Sequence, residues 1–163
     1  MAEDHTNEKE LSTGKAEEHA ESSGQPVALW NPGAAAGWSF IFTPVLGSYL
    51  HLLNWRALGE HEKEKKSKSW FYRSIAMLML YILAQYAIMS SGKGEGNAGG
   101  LCIIYFIVWY FVNGRLQGKY VKEKFGKNYP RRPWAVPLLA GMGAVFCYWV
   151  LAATALELLL MIG

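Results

Sequence analysis

A histidine and an asparagine stand three residues apart in an apolar stretch, at His51 and Asn54, and Gly47 lies four residues before the histidine. On a helix this spacing places both polar side chains on one face, together with Ser48. An ionisable side chain within a membrane segment indicates a functional site, such as part of a polar route. The alternative is a neutral histidine near the membrane interface that hydrogen-bonds to a neighbouring helix or to water.

Gln85 and Glu157 are two further polar residues within apolar runs. Gln85 is placed to hydrogen-bond across helices. Glu157 would cost several kcal/mol near the bilayer centre without a partner. Because it lies about 20 residues from the start of its run, near the far headgroups, a solvated acid at a helix end is favoured over a proton relay.

The sequence carries no pattern typical of an enzyme or a metal site. The glycine-rich stretch 90–100 lacks the spacing of a phosphate-binding loop, and no His, Cys and Asp residues stand at ligand spacing. Cys102 and Cys147 both lie in apolar runs, where a thiol behaves as a small hydrophobe. We therefore predict a protein that is not an enzyme and uses no cofactor or metal.

The elements that carry these residues are apolar runs of membrane-spanning length. Such a helix needs about 20 residues, and the sequence predicts an all-α membrane protein with four transmembrane helices at about 34–55, 70–89, 98–116 and 137–160. Pro44 interrupts the first of these segments. We expect a kinked span there, with a re-entrant or surface-lying helix as the alternative.

Residues 1–28 differ sharply from the membrane domain predicted at 29–163. They contain seven acidic residues, two lysines and almost no large apolar side chain. Such a composition buries too little surface to offset the entropy of ordering, so this tail is predicted to be disordered.

Basic residues are concentrated in the connections 56–69 and 113–134, whereas 90–100 holds only Lys93. Positive loops stay in the cytoplasm, so the two basic connections are predicted to be cytoplasmic and 90–100 periplasmic, in a bacterial inner membrane. With four spans both chain ends face outward. If the first segment only dips into the membrane, the acidic tail is cytoplasmic and the other spans keep their orientation.

The second basic connection, GKYVKEKFGKNYPRRPW, interleaves aromatic residues with positive charges. This pattern fits a short interfacial helix whose bases set topology and contact anionic lipid headgroups. The predicted lipid-contacting residues are Lys119, Lys122, Lys124, Lys127, Arg131 and Arg132. Nothing in the sequence favours nucleic-acid binding.

Small residues recur on the last predicted span, at Ala140, Gly141, Gly143 and Ala144. This spacing lets helices approach closely, so the segment is predicted to form a packing surface within the protein or toward a partner.

Two parts of the chain resemble a family of small uncharacterised bacterial membrane proteins. One is WNPGAAAGWSFIFTPVLGSYLHLLNWRALGE, and the other is NYPRRPWAVPLL, which leads into the final span. The resemblance implies no known activity. A fainter similarity links FGKNY to membrane methyltransferases of the isoprenylcysteine and phospholipid type, but this chain lacks their Arg-His-Pro motif and paired glutamates.

These observations together predict a non-enzymatic polytopic protein that acts through helix contacts with a membrane-protein partner or with further copies of itself. Two alternatives stay open. One is an immunity protein that binds a pore-forming toxin within the bilayer. The other is a small transporter or channel subunit, with His51, Gln85 and Glu157 lining a polar route.

Overall fold

The computed structural model describes residues 27–91 and 96–162, so almost all of the predicted acidic tail lies outside the described residues. Within these ranges the chain is all-helical, which confirms the predicted class. Its elements are α1 (Pro32–Ala57), α2 (His61–Ser90), α3 (Gly99–Trp109), a π-helical turn (Tyr110–Gly114), α4 (Arg115–Phe125) and α5 (Ala135–Ile162).

α1 is a helical hairpin with two arms, residues 32–41 and 44–57. Its backbone leaves helical geometry at Phe42 and Thr43. The amide and carbonyl of Trp30 both hydrogen-bond to the side chain of Asn54, at 3.1 and 2.8 Å. An unbroken helix would separate residues 24 positions apart by about 36 Å. α1 therefore begins and ends at the same end of the molecule. The predicted kinked span is not confirmed, and this reversal is the geometry expected of the re-entrant alternative.

The reversal has a local cause in Thr43 and Pro44. Pro44 has no backbone N–H and disfavours helical geometry in the residue before it, so the first arm has to stop there. Thr43 takes φ 70° and ψ 157°, a conformation that residues other than glycine rarely adopt. Its hydroxyl accepts a hydrogen bond from the amide of Val45 at 3.4 Å, at the start of the second arm.

Among residues 27–91 and 96–162, three helices are long and apolar enough to cross a membrane, and α1 is not one of them. They are α2, the continuous helix from Gly99 to Phe125 that α3, the π-turn and α4 form together, and α5. The tip of the hairpin reaches the apolar parts of these helices, because Phe40 packs on Phe106 with ring centroids 5.4 Å apart. The molecule is thus three long helices with a short hairpin inserted among them from one end.

Two predicted boundaries need correction. The connection 56–69 is mostly helical, since α2 begins at His61. Exposed pairs such as Glu62 with Lys65, at 2.8 Å, stabilise this polar extension. The predicted interfacial helix is also not separate, because residues 115–125 continue the preceding span.

We call residues 28–31, 55–66 and 115–134 the basic end. The segment before α1 is held there by the loop before α5: Leu29 N–H donates to the carbonyl of Pro130 at 3.0 Å, and Arg132 N–H donates to that of Leu29 at 2.9 Å. Trp30 adds an indole hydrogen bond to the carbonyl of Pro133 at 3.0 Å. Both connections that were predicted to share one side of the membrane thus lie at this end, together with the chain that enters α1.

Candidate functional site

Asn54 closes the base of the hairpin and links it to α4. Its side chain is fully buried and bonds to both backbone groups of Trp30. The same amide nitrogen donates to Gln117 Oε1 at 2.9 Å. One asparagine near the end of α1 therefore joins the segment before α1 to α4.

Gln117 extends this network to His51. Its side-chain nitrogen donates to the main-chain carbonyl of His51 at 2.8 Å, and both residues are fully buried. The sequence placed His51 and Asn54 on one face of one helix, and the structure brings them together with Gln117 from a distant part of the chain. A buried glutamine with satisfied donor and acceptor groups selects one register between the two helices.

Trp109, the last residue of α3, packs against the second arm of the hairpin. Its indole nitrogen donates to Ser48 Oγ at 2.7 Å, and its ring centroid lies 6.1 Å from that of His51. A Cβ at Gly47 would overlap Ser39 Oγ and lie 2.7 Å from Trp109 Cη2. Glycine is therefore required at residue 47 for the arms and the tryptophan to meet.

Three buried polar atoms of this region have no hydrogen-bond partner among the described residues. They are both ring nitrogens of His51 and Nδ2 of Asn113. Asn113 lies in the π-turn and accepts a hydrogen bond from Ser67 Oγ at 3.4 Å. Short π-helical turns within α-helices often occur at functional sites, and this one presents an unused donor in the protein interior.

We call Ser39, Ser48, His51, Asn54, Ser67, Asn113 and Gln117 the polar cluster. All seven are buried, and none carries a carboxylate. Such groups can bind a small polar molecule or hold helices together through hydrogen bonds. In residues 27–91 and 96–162 no three His, Cys, Asp or Glu residues are grouped to hold a metal ion.

A large apolar groove lies between the hairpin tip, α2 and α5. Its volume is about 770 Å³. The tip contributes Phe42, Thr43 and Leu46, and the opposite wall includes Ala140 and Ala144 of α5. The break in α1 therefore faces an apolar cavity, away from the polar cluster.

Gln85 and Glu157 are not part of the polar cluster. Gln85 accepts a hydrogen bond from Ala98 N–H at 3.2 Å and donates to the carbonyl of Gly96 at 3.3 Å, so it caps the start of α3. It lies 18 residues along α2 from Ser67, or about 27 Å. Glu157 is exposed in the last two turns of α5. The polar route predicted through His51, Gln85 and Glu157 is thus not assembled.

The small residues of α5 divide into two groups. Gly141 is buried, and a Cβ there would lie 2.9 Å from Leu46 Cδ2 and 3.2 Å from the Phe42 ring. Ala140, Gly143 and Ala144 are exposed, and a Cβ at Gly143 would meet nothing within 4 Å. Gly141 therefore packs within the protein, whereas the other three have no such role.

The six predicted lipid-contacting bases also have different surroundings. Lys119 lies 3.9 Å from Glu123, and Lys124 donates to the hydroxyl of Tyr120 at 3.2 Å. Arg132 donates to the carbonyl of Ala28 at 2.9 Å and stacks over Trp30. The other three, Lys122, Lys127 and Arg131, line one small cleft.

Trp109, Asn113 and Gln117 were not among the predicted site residues. A sequence signal for them exists, because they recur every four residues and so share one face of a helix. Apolar length alone predicts the span 98–116, and this assigns Gln117 to the basic connection. The signal that identifies them is a polar helix face that continues across that boundary.

Comparison with known proteins found no matching family model, no similar curated protein and no similar solved structure.

Proposed function

We propose that this multi-pass membrane protein acts without catalysis, by binding a helix of a membrane-protein partner in the groove between the hairpin tip and α5. The observation that carries the proposal is the groove itself. It is apolar, about 770 Å³ in volume, and bounded by a helix that buries only three of its 28 residues.

The exposed small residues of α5 favour a helix as the occupant. Within lipid the hydrophobic effect does not drive helices together, so association depends on close packing at small residues. Ala140 and Ala144 are exposed at the groove wall, one turn apart. An acyl chain needs no such close backbone approach, whereas a partner helix does.

Photo-crosslinking in the native membrane tests this proposal. A photoreactive amino acid at Ala144 is expected to give one protein adduct, with a reciprocal crosslink when the probe is placed on the identified partner. Ala140→Leu, which fills the groove wall, is expected to reduce that adduct about ten-fold. Leu139→Ala changes an exposed α5 residue outside the groove and serves as the matched control.

Lipid adducts alone at residue 144 would contradict the proposal, since they would show that acyl chains fill the groove. A protein adduct that persists unchanged in Ala140→Leu would also count against it, because the contact would not depend on close approach at the small residues. Adducts with a second copy of this chain would identify the partner as a homo-oligomer.

A transporter or channel subunit is a second candidate, favoured by the re-entrant hairpin and the unpartnered atoms of His51 and Asn113. Broken or re-entrant backbone at membrane depth is typical of proteins that line solute paths. Purified protein in liposomes is then expected to move an ion or small solute, and Asn113→Leu to abolish the flux. Absence of flux under every applied gradient would exclude this candidate.

The remaining proposals concern location and sidedness. We place the protein in a bacterial inner membrane with its basic end in the cytoplasm, because lysine and arginine are concentrated at that end. The immunity-protein alternative stays a prediction. It expects that a toxin encoded nearby kills cells that lack the gene for this protein, and survival of those cells would contradict it.

A further inference from the structure

A second cavity lies at the basic end, where the first turn of α1 meets α4 and the turn that follows it. Its volume is about 220 Å³. Three basic side chains line it, Lys122 from α4 and Lys127 and Arg131 from the following turn, beside Gly33 and Gly118. We call this cavity the cationic cleft. It is distinct from the apolar groove and shares no lining residue with it.

The charges of the cationic cleft are not balanced by the part of the protein that the structure describes. No acidic side chain lines the cavity. Among residues 27–91 and 96–162, carboxylates form ion pairs with Arg56, Lys63, Lys65 and Lys119, but not with the three cleft bases. Like charges that converge on one cavity repel one another, and an anion between them removes that repulsion.

The backbone is shaped to form this cavity. A Cβ at Gly118 would lie 4.0 Å from the amide nitrogen of Gly33, so the two helices meet at small residues. Gly126 has φ 63°, a left-handed conformation that ends α4 and turns the chain toward Tyr129 and Arg131. The first amides of α1 are already bonded to the Asn31 side chain, at 3.0 and 3.3 Å, so binding in the cleft depends on the three bases.

The depth of the cleft indicates which anion is available. The apolar part of the long helix ends at Asn113. Gly118 lies five residues past it, or about 7.5 Å farther along the helix axis. That distance corresponds to the headgroup layer beside the hydrocarbon core. Phosphate is the anionic group concentrated there, and basic pockets beside membrane helices bind phospholipid headgroups.

We propose that the cationic cleft binds one phosphate group, supplied by an anionic phospholipid, through Lys122, Lys127 and Arg131. The guanidinium of Arg131 offers paired donors that match phosphate oxygens, and the two lysines supply point charges. This site differs from a diffuse basic surface, because it assigns binding to three of the six bases and excludes Lys119 and Lys124.

Lipid retention by the full chain tests the proposal. The protein is purified in micelles that contain equal amounts of phosphatidylglycerol and phosphatidylcholine, and retained lipid is counted by native mass spectrometry. Wild type is expected to retain one phosphatidylglycerol. The triple variant K122Q/K127Q/R131Q is expected to bind it about 100-fold more weakly, at roughly five-fold for each base.

The matched control is K66Q/K119Q/K124Q, which removes the same charge from the basic end but leaves the cleft intact. Its phosphatidylglycerol affinity is expected to change by less than about five-fold. Equal losses in the two triple variants would overturn the proposal, since binding would then follow net charge. Unchanged retention in K122Q/K127Q/R131Q would overturn it directly.

A second experiment distinguishes the source of the phosphate. Inorganic phosphate is titrated against the same complex, and the proposal expects it to displace phosphatidylglycerol weakly, because the free ion is not held at the headgroup layer. If inorganic phosphate bound with the same affinity as phosphatidylglycerol, the lipid assignment would be overturned and the cleft would be a site for free phosphate. A near-native unfolding midpoint in both triple variants establishes that the comparison is made between folded proteins.

Discussion

At the basic end, α1 is joined to α4 through buried side-chain hydrogen bonds, whereas α5 buries only Pro137, Gly141 and Ala152. In the first region Asn54 and Gln117 meet deep in the protein and each bonds to main-chain groups as well. In the second region apolar surfaces face a groove of about 770 Å³. The two regions occupy the same molecule but are stabilised by different interactions.

The difference follows from the kinds of residue that each region offers for packing in an apolar environment. Within lipid an apolar side chain gains little by leaving one apolar neighbour for another, so tight association needs small residues and polar bonds. The hairpin has both, at Gly47 and Ser39 and at Asn54 and Gln117. α5 has one close contact at a small residue, Gly141, and one hydrogen bond, from the Tyr148 hydroxyl to the carbonyl of Leu78 at 3.3 Å. Its exposed small residues are Ala140, Gly143 and Ala144. We infer that the hairpin base fixes the fold, and the exposed face of α5 is where we propose that a partner binds.

A topology measurement tests the hairpin most decisively, because its outcome is all-or-none. A reporter that is active only outside the cytoplasm is fused to the N-terminus, inserted at residue 95, or fused to the C-terminus. A re-entrant α1 predicts activity at residue 95 and the C-terminus and none at the N-terminus. Insertion at Asn128, within the basic end, serves as the silent control. Activity at the N-terminus would mean that α1 crosses the membrane.

Gly47→Leu is expected to give the largest loss of stability. Even a Cβ at residue 47 overlaps Ser39 Oγ and crowds the buried ring of Trp109, and overpacking of this kind costs about 3 kcal/mol or more. The free energy of unfolding in micelles is the measured quantity. Gly37→Leu, where a Cβ meets nothing within 4 Å, is the control and is expected to change it little. Equal losses in both variants would contradict the crossing of the two arms at Gly47.

Asn54→Ala is expected to have the next largest effect, a loss of about 2 kcal/mol, because it leaves main-chain groups of Trp30 and the oxygen of Gln117 without partners. Substitution of the exposed Asn128 by alanine is the control. A double-mutant cycle with Gln117→Ala measures the coupling, which is expected to exceed about 0.5 kcal/mol. Strictly additive losses would mean that the two amides act independently.

The sequence was sufficient for the parts of the fold that depend on run length. Three spans and the break at Pro44 follow from apolar length and from the missing backbone donor of proline. The direction taken after the break does not follow, because Pro44 ends the first arm in either case and does not by itself select the positive φ that Thr43 adopts. The reversal depends on contacts distant along the chain, such as Trp30 with Asn54, which no local pattern specifies.

The site shows the same division between local and distant information. His51 and Asn54 were found because they share a helix face, whereas Gln117 joins them across the fold. The charges at the polar start of α2 predict a loop there. Its Glu62 and Lys65 stand three residues apart and pair at 2.8 Å, a spacing that also indicates a solvated helix.

Glu60, in the turn between α1 and α2, is expected to make the smallest contribution, and a pH-dependent one. Hydrogen bonds from Lys63, at 2.8 Å, and from the hydroxyl of Tyr120 hold the pKa of this carboxyl below its ordinary value of 4.5. A lowered pKa in the folded state stabilises the protein above pH 4.5, and this stabilisation is lost as the pH falls through the folded-state pKa. Because the pair is partly exposed, we expect an effect of about 0.5 kcal/mol.

The free energy of unfolding of wild type and of Glu60→Gln is compared across this pH range, with Glu123→Gln as the control. The two stabilities should differ at neutral pH and converge in acid, and a difference that is constant with pH would show that the carboxylate charge of Glu60 does not stabilise the basic end.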